Sequence, residues 1–168
     1  MPGAEKQVIV AGHICLDIIP DLRHTNAGMT GMLLPGMLAE VGQAVLATGG
    51  VVSNTGIALH RLGTDVKLMG KVGADPFGEA ILGILRRHDA GLSEGMIVAE
   101  GEHSSYSIVI SPPGIDRIFL HHTGTNDTFT SADVTADDLN NCGLLHFGYP
   151  PLMRRMYASG GDELRRLF

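Results

Sequence analysis

Apolar residues along this chain switch between a strand-like run and a helical period. Gln7 to Ile19, reading QVIVAGHICLDII, is apolar and β-branched, which predicts a buried strand ended by Pro20-Asp21. From Thr25 to Gly50 the pattern loosens into glycines and short apolar pieces, among them Met32–Leu34 and Ala44–Ala47. These predict short antiparallel strands with turns. The period then lengthens. Ser53 to Leu62 puts Ile57, Ala58 and Leu62 on one helical face, and Gly63 supplies a stop. Val66 to Val72 predicts a strand. Asp75 suits an N-cap and Pro76 a first helical position, opening a helix to about His88 with Ile81, Leu82, Ile84 and Leu85 apolar. Strand, turn and helix in repetition are the cadence of a parallel α/β sheet.

Ser105–Ser111 and Ile115–His121 flank Pro112-Pro113-Gly114, and the alternation of Tyr106, Ile108 and Ile110 predicts a β-hairpin. Thr135 and Asp138 make a capping box that starts a short helix. Leu144–Phe147 predicts another buried strand, Pro150-Pro151 breaks it, and a final helix is expected over roughly Leu152–Phe168. The two hairpin regions interrupt the α/β cadence, which implies a small β-sheet lid on a larger α/β body.

Composition narrows the classes. The chain has 168 residues, 44% hydrophobic and 18% charged, with 23 glycines in no triplet period. That length suits one domain burying about two-thirds of its unfolded surface, and it argues against disorder and fibrous repeats. Twelve Lys and Arg against 18 Asp and Glu give a net charge of −6, so no basic face predicts nucleic acid. The pairs Arg86-Arg87, Arg154-Arg155 and Arg165-Arg166 read as solvated helix faces. Cys15 and Cys142 lie in apolar runs and read as buried reduced thiols rather than a disulfide framework. Met1–Gln7 lacks an apolar signal core, and no run reaches the ~20 apolar residues that span a bilayer. The expectation is a soluble, cytoplasmic protein with no membrane partner.

His13, Cys15 and Asp17 alternate, so on one strand they share a face. A carboxylate ending the first parallel strand stands where open α/β sheets bind ligands. An ionised Asp17 accepts hydrogen bonds only, which suits hydroxyl donors; a turn-capping carboxylate is the alternative. A zinc site from His13, Cys15 and Asp17 lacks a second ligand cluster, so no metal site is assigned. Gly49-Gly50 ahead of a helix lets backbone N–H groups approach a ligand, and Asn54 adds a donor and an acceptor; plain loop chemistry is the alternative. No Gly-Lys-Ser/Thr follows, which excludes a P-loop, and the absence of GxGxxG disfavours a dinucleotide redox domain. His121-His122 and His146 suit either a metal or base role or ordinary packing, whereas His60 and His88 fall on helix surfaces.

Together, Gly12–Asp17, Gly49-Gly50 with Asn54, Leu62-Gly63 and Gly70-Lys-Val-Gly73-Ala-Asp75-Pro-Phe77-Gly78 resemble the ribokinase-like carbohydrate kinases, the PfkB family. Gly49 to Gly78 looks like that family's N-terminal signature. The resemblance continues through the hairpin, Gly124-Thr125-Asn126 and His146-Phe147-Gly148-Tyr149, covering essentially the whole chain. It implies an α/β fold: a ribokinase-like doubly wound sheet with a small β-sheet lid, lid segments near 25–50 and 103–123, and residues 1–168 as the N-terminal portion of one domain. The implied reaction moves the ATP γ-phosphoryl group to a sugar or nucleoside hydroxyl. By motif, Asp17 binds substrate hydroxyls, Gly49 and Gly50 pack against the sugar and Asn54 hydrogen-bonds it. Cys15 stands where ribokinases carry a second polar sugar ligand. Tyr106 and Ile108 cover the substrate from the hairpin, with plain core as the alternative for Tyr106, and Gly148 and Tyr149 stand at the rim.

ATP and Mg²⁺ are implied for the full-length enzyme. The family's Gly-Ala-Gly-Asp segment is missing from this chain, and Gly160-Gly161-Asp162 sits in a helix-like tail that does not replace it. No catalytic residue or cofactor ligand is therefore assigned, and the fold reads as truncated before its C-terminal nucleotide-binding part. Two readings follow, the substrate-binding half of a kinase or a non-catalytic sugar-binding or oligomerising module. A half-sheet with apolar edges predicts a homo-oligomer such as a dimer. The Asn126-Asp127-Thr128 sequon is expected to be inert.

Overall fold

β1 (Gln7–Gly12) runs through the centre of the molecule, with Ile9, Val10 and Ala11 fully buried. The computed structural model describes residues 6–23 and 34–168. β1 pairs in parallel with β4 (Val66–Met69) on one side and β9 (Cys142–Gly148) on the other. Parallel strands need long crossovers, which lay covering segments over both faces. The alternation of β1 side chains divides the core accordingly. Val10 faces α1 (Val51–Arg61) and α2 (Pro76–His88), where Val52, Ile57, Ile81 and Leu85 pack. Ile9 and Ala11 face Phe129, Val134, Met153, Met156 and Leu167.

The expected strand over Gln7–Ile19 is two strands in two sheets. Gly12 has φ +121°, and a Cβ there would stand 2.6 Å from the Gly148 carbonyl oxygen, so the chain bends at His13. Beyond the bend β2 (Cys15–Ile19) joins a second sheet, in the order β3 (Val45–Gly49), β2, β7 (Tyr106–Ile110), β8 (Ile118–His122). The expected strand over Val66–Val72 divides likewise at Gly70, into β4 and β5 (Lys71–Gly73), and β5 pairs with β6 (Ile97–Ala99). Apolar runs carry no mark of the sheet they enter. Ala44–Ala47 falls largely within β3, Leu34 is not in a strand, and Met32 and Leu33 lie outside the described residues.

The capping signals are realised as read. Asp75 Oδ1 accepts from the Gly78 amide at 2.8 Å, and Pro76 opens α2. The Thr135 amide donates to Asp138 Oδ2 at 2.8 Å, closing a capping box on α3 (Ala136–Asn140). The hairpin of β7 and β8 is antiparallel, as its alternation predicts. The last expected helix is instead broken into α4 (Arg154–Tyr157) and α5 (Asp162–Leu167). Ser159, Gly160 and Gly161 all take positive φ between them, which a helix cannot continue through. β9 is also less buried than its apolar run suggests, because β1 is its only strand partner among the described residues and Leu144 stays largely exposed. No described helix is long and apolar enough to cross a membrane.

Candidate functional site

Cys15 and Asp17 project from β2 to one face of the second sheet. Asp17 pairs with Ser107 of β7 and Ser107 with His121 of β8, so all four side chains share that face. The Cys15 thiol donates to Asp17 Oδ1 over 3.4 Å and lies 3.8 Å from Ser107 Oγ. Ser107 Oγ is 2.9 Å from His121 Nδ1, and His121 Nε2 is 3.4 Å from His13 Nε2. His13 is buried at the bend between the sheets, with its ring centroid 5.7 Å from that of Tyr149. A polar chain of His13, His121, Ser107, Cys15 and Asp17 thus crosses the face.

Bare backbone lets the chain form. A Cβ on Gly49 would stand 2.5 Å from Asp17 Oδ2, and one on Gly50 would stand 2.3 Å from the His13 carbonyl oxygen. Gly148 carries the carbonyl that accepts from the His13 amide at 3.4 Å. Tyr149 follows with φ +61°, a left-handed conformation uncommon for a residue with a side chain. Burial pulls the His13 imidazole down to about 4, and the neighbouring His121 adds to the fall, so His13 is neutral at neutral pH. Burial, then the charge of Asp17, push the Cys15 thiol up to about 12. Burial also lowers His121, while Asp17 opposes that shift.

Several expected residues fall elsewhere. Tyr106 and Ile108 alternate with Ser107 and therefore project from the opposite face. Tyr106 packs edge-on to Phe77 at 5.2 Å and lines a cleft with Asp75, His103, Ser104 and His122. Ser107 and His121 are the hairpin residues that share the face of Asp17. Asn54 is exposed on α1 and lines a cleft with Thr48, Ser53, Arg61 and His88, apart from the polar chain.

Asn126, of the Gly124-Thr125-Asn126 segment, is a structural pin. It is fully buried, its Oδ1 accepting from the Ile14 amide at 3.2 Å and its Nδ2 donating to the Ile14 carbonyl at 2.9 Å. Both halves of its amide are committed to holding the bend, which closes the sequon to modification. Alternation in the hairpin would have flagged Ser107, had its buried face been known. Gly160-Gly161-Asp162 does not fit a triphosphate: Arg165 donates to the Gly160 carbonyl and pairs with Asp162. Its negative groups are turned to a cation and offer no anion cradle.

A family model described as pfkB family carbohydrate kinase matches residues 5–155. The chain belongs to this family. The rice (Oryza sativa subsp. japonica) protein Fructokinase-1 is 28% identical over 151 residues, an alignment covering 88% of this chain and 43% of that protein. A Methanocaldococcus jannaschii nucleoside kinase, described as an archaeal member of the ribokinase family, superposes with TM-score 0.64 at 18% identity, covering 95% of this chain and 50% of its own. A Cryptococcus neoformans var. grubii serotype A ribokinase in complex with ADP gives TM-score 0.61 at 20% identity, covering 84% of this chain and 42% of its own. The fold is ribokinase-like α/β, and the pfkB-family chain spans less than half the length of the curated relatives it matches.

Proposed function

We propose that this chain is the substrate-binding portion of an ATP-dependent sugar kinase and binds a sugar through Asp17. The observation that carries the reading is the Asp17 carboxylate seated against the bare Cα of Gly49, next to the bend at the end of β1. An ionised carboxylate accepts from two vicinal hydroxyls, and the glycine leaves room for a ring to lie close to the backbone. Ser107 and His121 stand beside it as further polar partners, and Tyr149 offers a rim. The fructokinase relatives support a ketohexose as the first candidate, with ribose and nucleosides next.

In the whole enzyme, ATP with Mg²⁺ would supply the phosphoryl group. Gly160-Gly161-Asp162 does not fit that pair, and the expectation for the 168-residue chain is sugar binding without turnover. Residues 1–168 then act as one portion of a single domain, with the β3-β2-β7-β8 sheet as its lid. The edge strand β8, which exposes Phe119 and Leu120, supports self-association of the chain.

Thermal unfolding with fructose, ribose and adenosine at millimolar concentration tests the reading. One of them should raise the midpoint by several degrees in the native chain and leave Asp17→Asn unmoved. No shift with any of the three, or an equal shift in Asp17→Asn, would overturn it.

A further inference from the structure

His13, Cys15 and His121 each bring one potential ligand atom within 4.8 Å of the other two. In sequence, His13 and Cys15 lack a second ligand cluster; the fold supplies His121 from a strand 108 residues away. We propose that these three side chains form a binding site for a tetrahedral, borderline-soft divalent cation, zinc being the biological case. Asp17 or a solvent oxygen would take the fourth position.

Three observations carry this. The first is spacing. Two imidazole nitrogens on one tetrahedral zinc, each at 2.0–2.1 Å, stand about 3.3–3.4 Å apart. The His13 and His121 Nε2 atoms are 3.4 Å apart. Nitrogen and sulfur on the same ion stand roughly 3.6 Å apart, and the Cys15 ligand atom lies within 4.8 Å of those of both histidines.

The second is support. A ligating histidine normally gives its other ring N–H to an outer partner that fixes its tautomer. Ser107 Oγ lies 2.9 Å from His121 Nδ1, in the place such a partner occupies.

The third is the donor set. A nitrogen, nitrogen and sulfur set selects zinc over magnesium or calcium, which prefer oxygen.

Binding is a simple exchange. The Cys15 S–H bond breaks, an S–metal bond forms, and one proton leaves to solvent per ion bound. Both imidazoles coordinate neutral, and nothing is oxidised or reduced. The site lies beside Asp17, so ion and sugar would compete, but the metal site stands whether or not a sugar binds.

Cobalt(II) titrated into the metal-free chain is the probe, because it replaces zinc and reports its geometry by absorption. The expected result is one ion per chain, a near-ultraviolet thiolate-to-cobalt band and strong tetrahedral bands in the visible, all displaced by zinc. Cys15→Ser should remove the thiolate band and Cys142→Ser should keep it. His121→Ala, at an exposed edge strand, should weaken binding roughly tenfold or more. Circular dichroism verifies that each variant is folded. Absence of the tetrahedral spectrum in the native chain would overturn the proposal. So would a thiolate band that survives Cys15→Ser, or unchanged affinity in His121→Ala.

Discussion

At Gly50 two separate constraints meet on one α-carbon. The backbone takes φ +87°, and a methyl group there would press on the His13 carbonyl oxygen at 2.3 Å. Gly101 shares the conformation, at φ +74°, with nothing within 4 Å. Comparing alanine at the two positions separates strain from crowding. Gly101→Ala should cost the left-handed penalty of about 1–2 kcal/mol. Gly50→Ala should cost that plus roughly 1–3 kcal/mol for overpacking, read as a lower urea midpoint at unchanged m-value. Equal costs would mean that His13 does not rest under Gly50. The glycine pair was legible as a place where backbone must come close to something. What comes close in the first instance is this chain's own Asp17 and His13, and a motif cannot tell a neighbour from a ligand. Ser107 and His121 were harder still. Which alternate hairpin residues face Asp17 depends on register across β2, β7 and β8, and no local pattern encodes that.

Among the elements, α2 was read almost to the residue, because its start is chemically marked. Asp75 does more than cap it. Besides the Gly78 amide, it accepts from the Ser104 amide at 2.8 Å and the Ser104 hydroxyl at 2.7 Å, tying α2 to the segment before β7. Partial burial works against its charged form, but these hydrogen bonds and His103 outweigh that and hold the carboxyl below its ordinary 3.8. A carboxyl depressed in the folded state stabilises fully above its unfolded value, and the contribution fades as pH falls through the folded one. Asp75→Ala should therefore cost about 1–2 kcal/mol at pH 7, with the gap to the native chain narrowing below pH 3.8. Urea unfolding at pH 7 and pH 3 measures both; a gap of constant size would remove charge from the explanation. The strand boundaries were less legible for an equally physical reason. Gly12 and Gly70 sit inside largely apolar runs, and each lies where a Cβ would press on a segment distant from its own strand, Gly148 for the first and Ile14 for the second, which no local pattern shows.

At the scale of the whole molecule, a parallel sheet is stable only when both faces are covered, and here the two covers were unequally visible. α1 and α2 announce themselves by helical period. The opposite cover is assembled from pieces with no common rhythm: Phe129, Val134, Met153, Met156 and Leu167, drawn from turns, loops and two short helices. Phe129 is the largest fully buried side chain among the described residues, and its ring centroid lies 6.1 Å from that of Phe147 on β9. It links the irregular cover to the edge strand. Phe129→Ala should cost about 3–5 kcal/mol, a large share of the roughly 5–15 kcal/mol that holds a domain folded. At this size that corresponds to a fall in Tm of roughly 6–20 °C. Phe119→Ala removes the same ring from a side chain 52% exposed on β8, and should change stability by about 0.5 kcal/mol or less. Calorimetry on the two variants decides whether the second layer is a true core. If Phe129→Ala melts with Phe119→Ala, the sheet is held from the α1 and α2 side alone, and Phe129, Val134, Met153, Met156 and Leu167 merely rest against it.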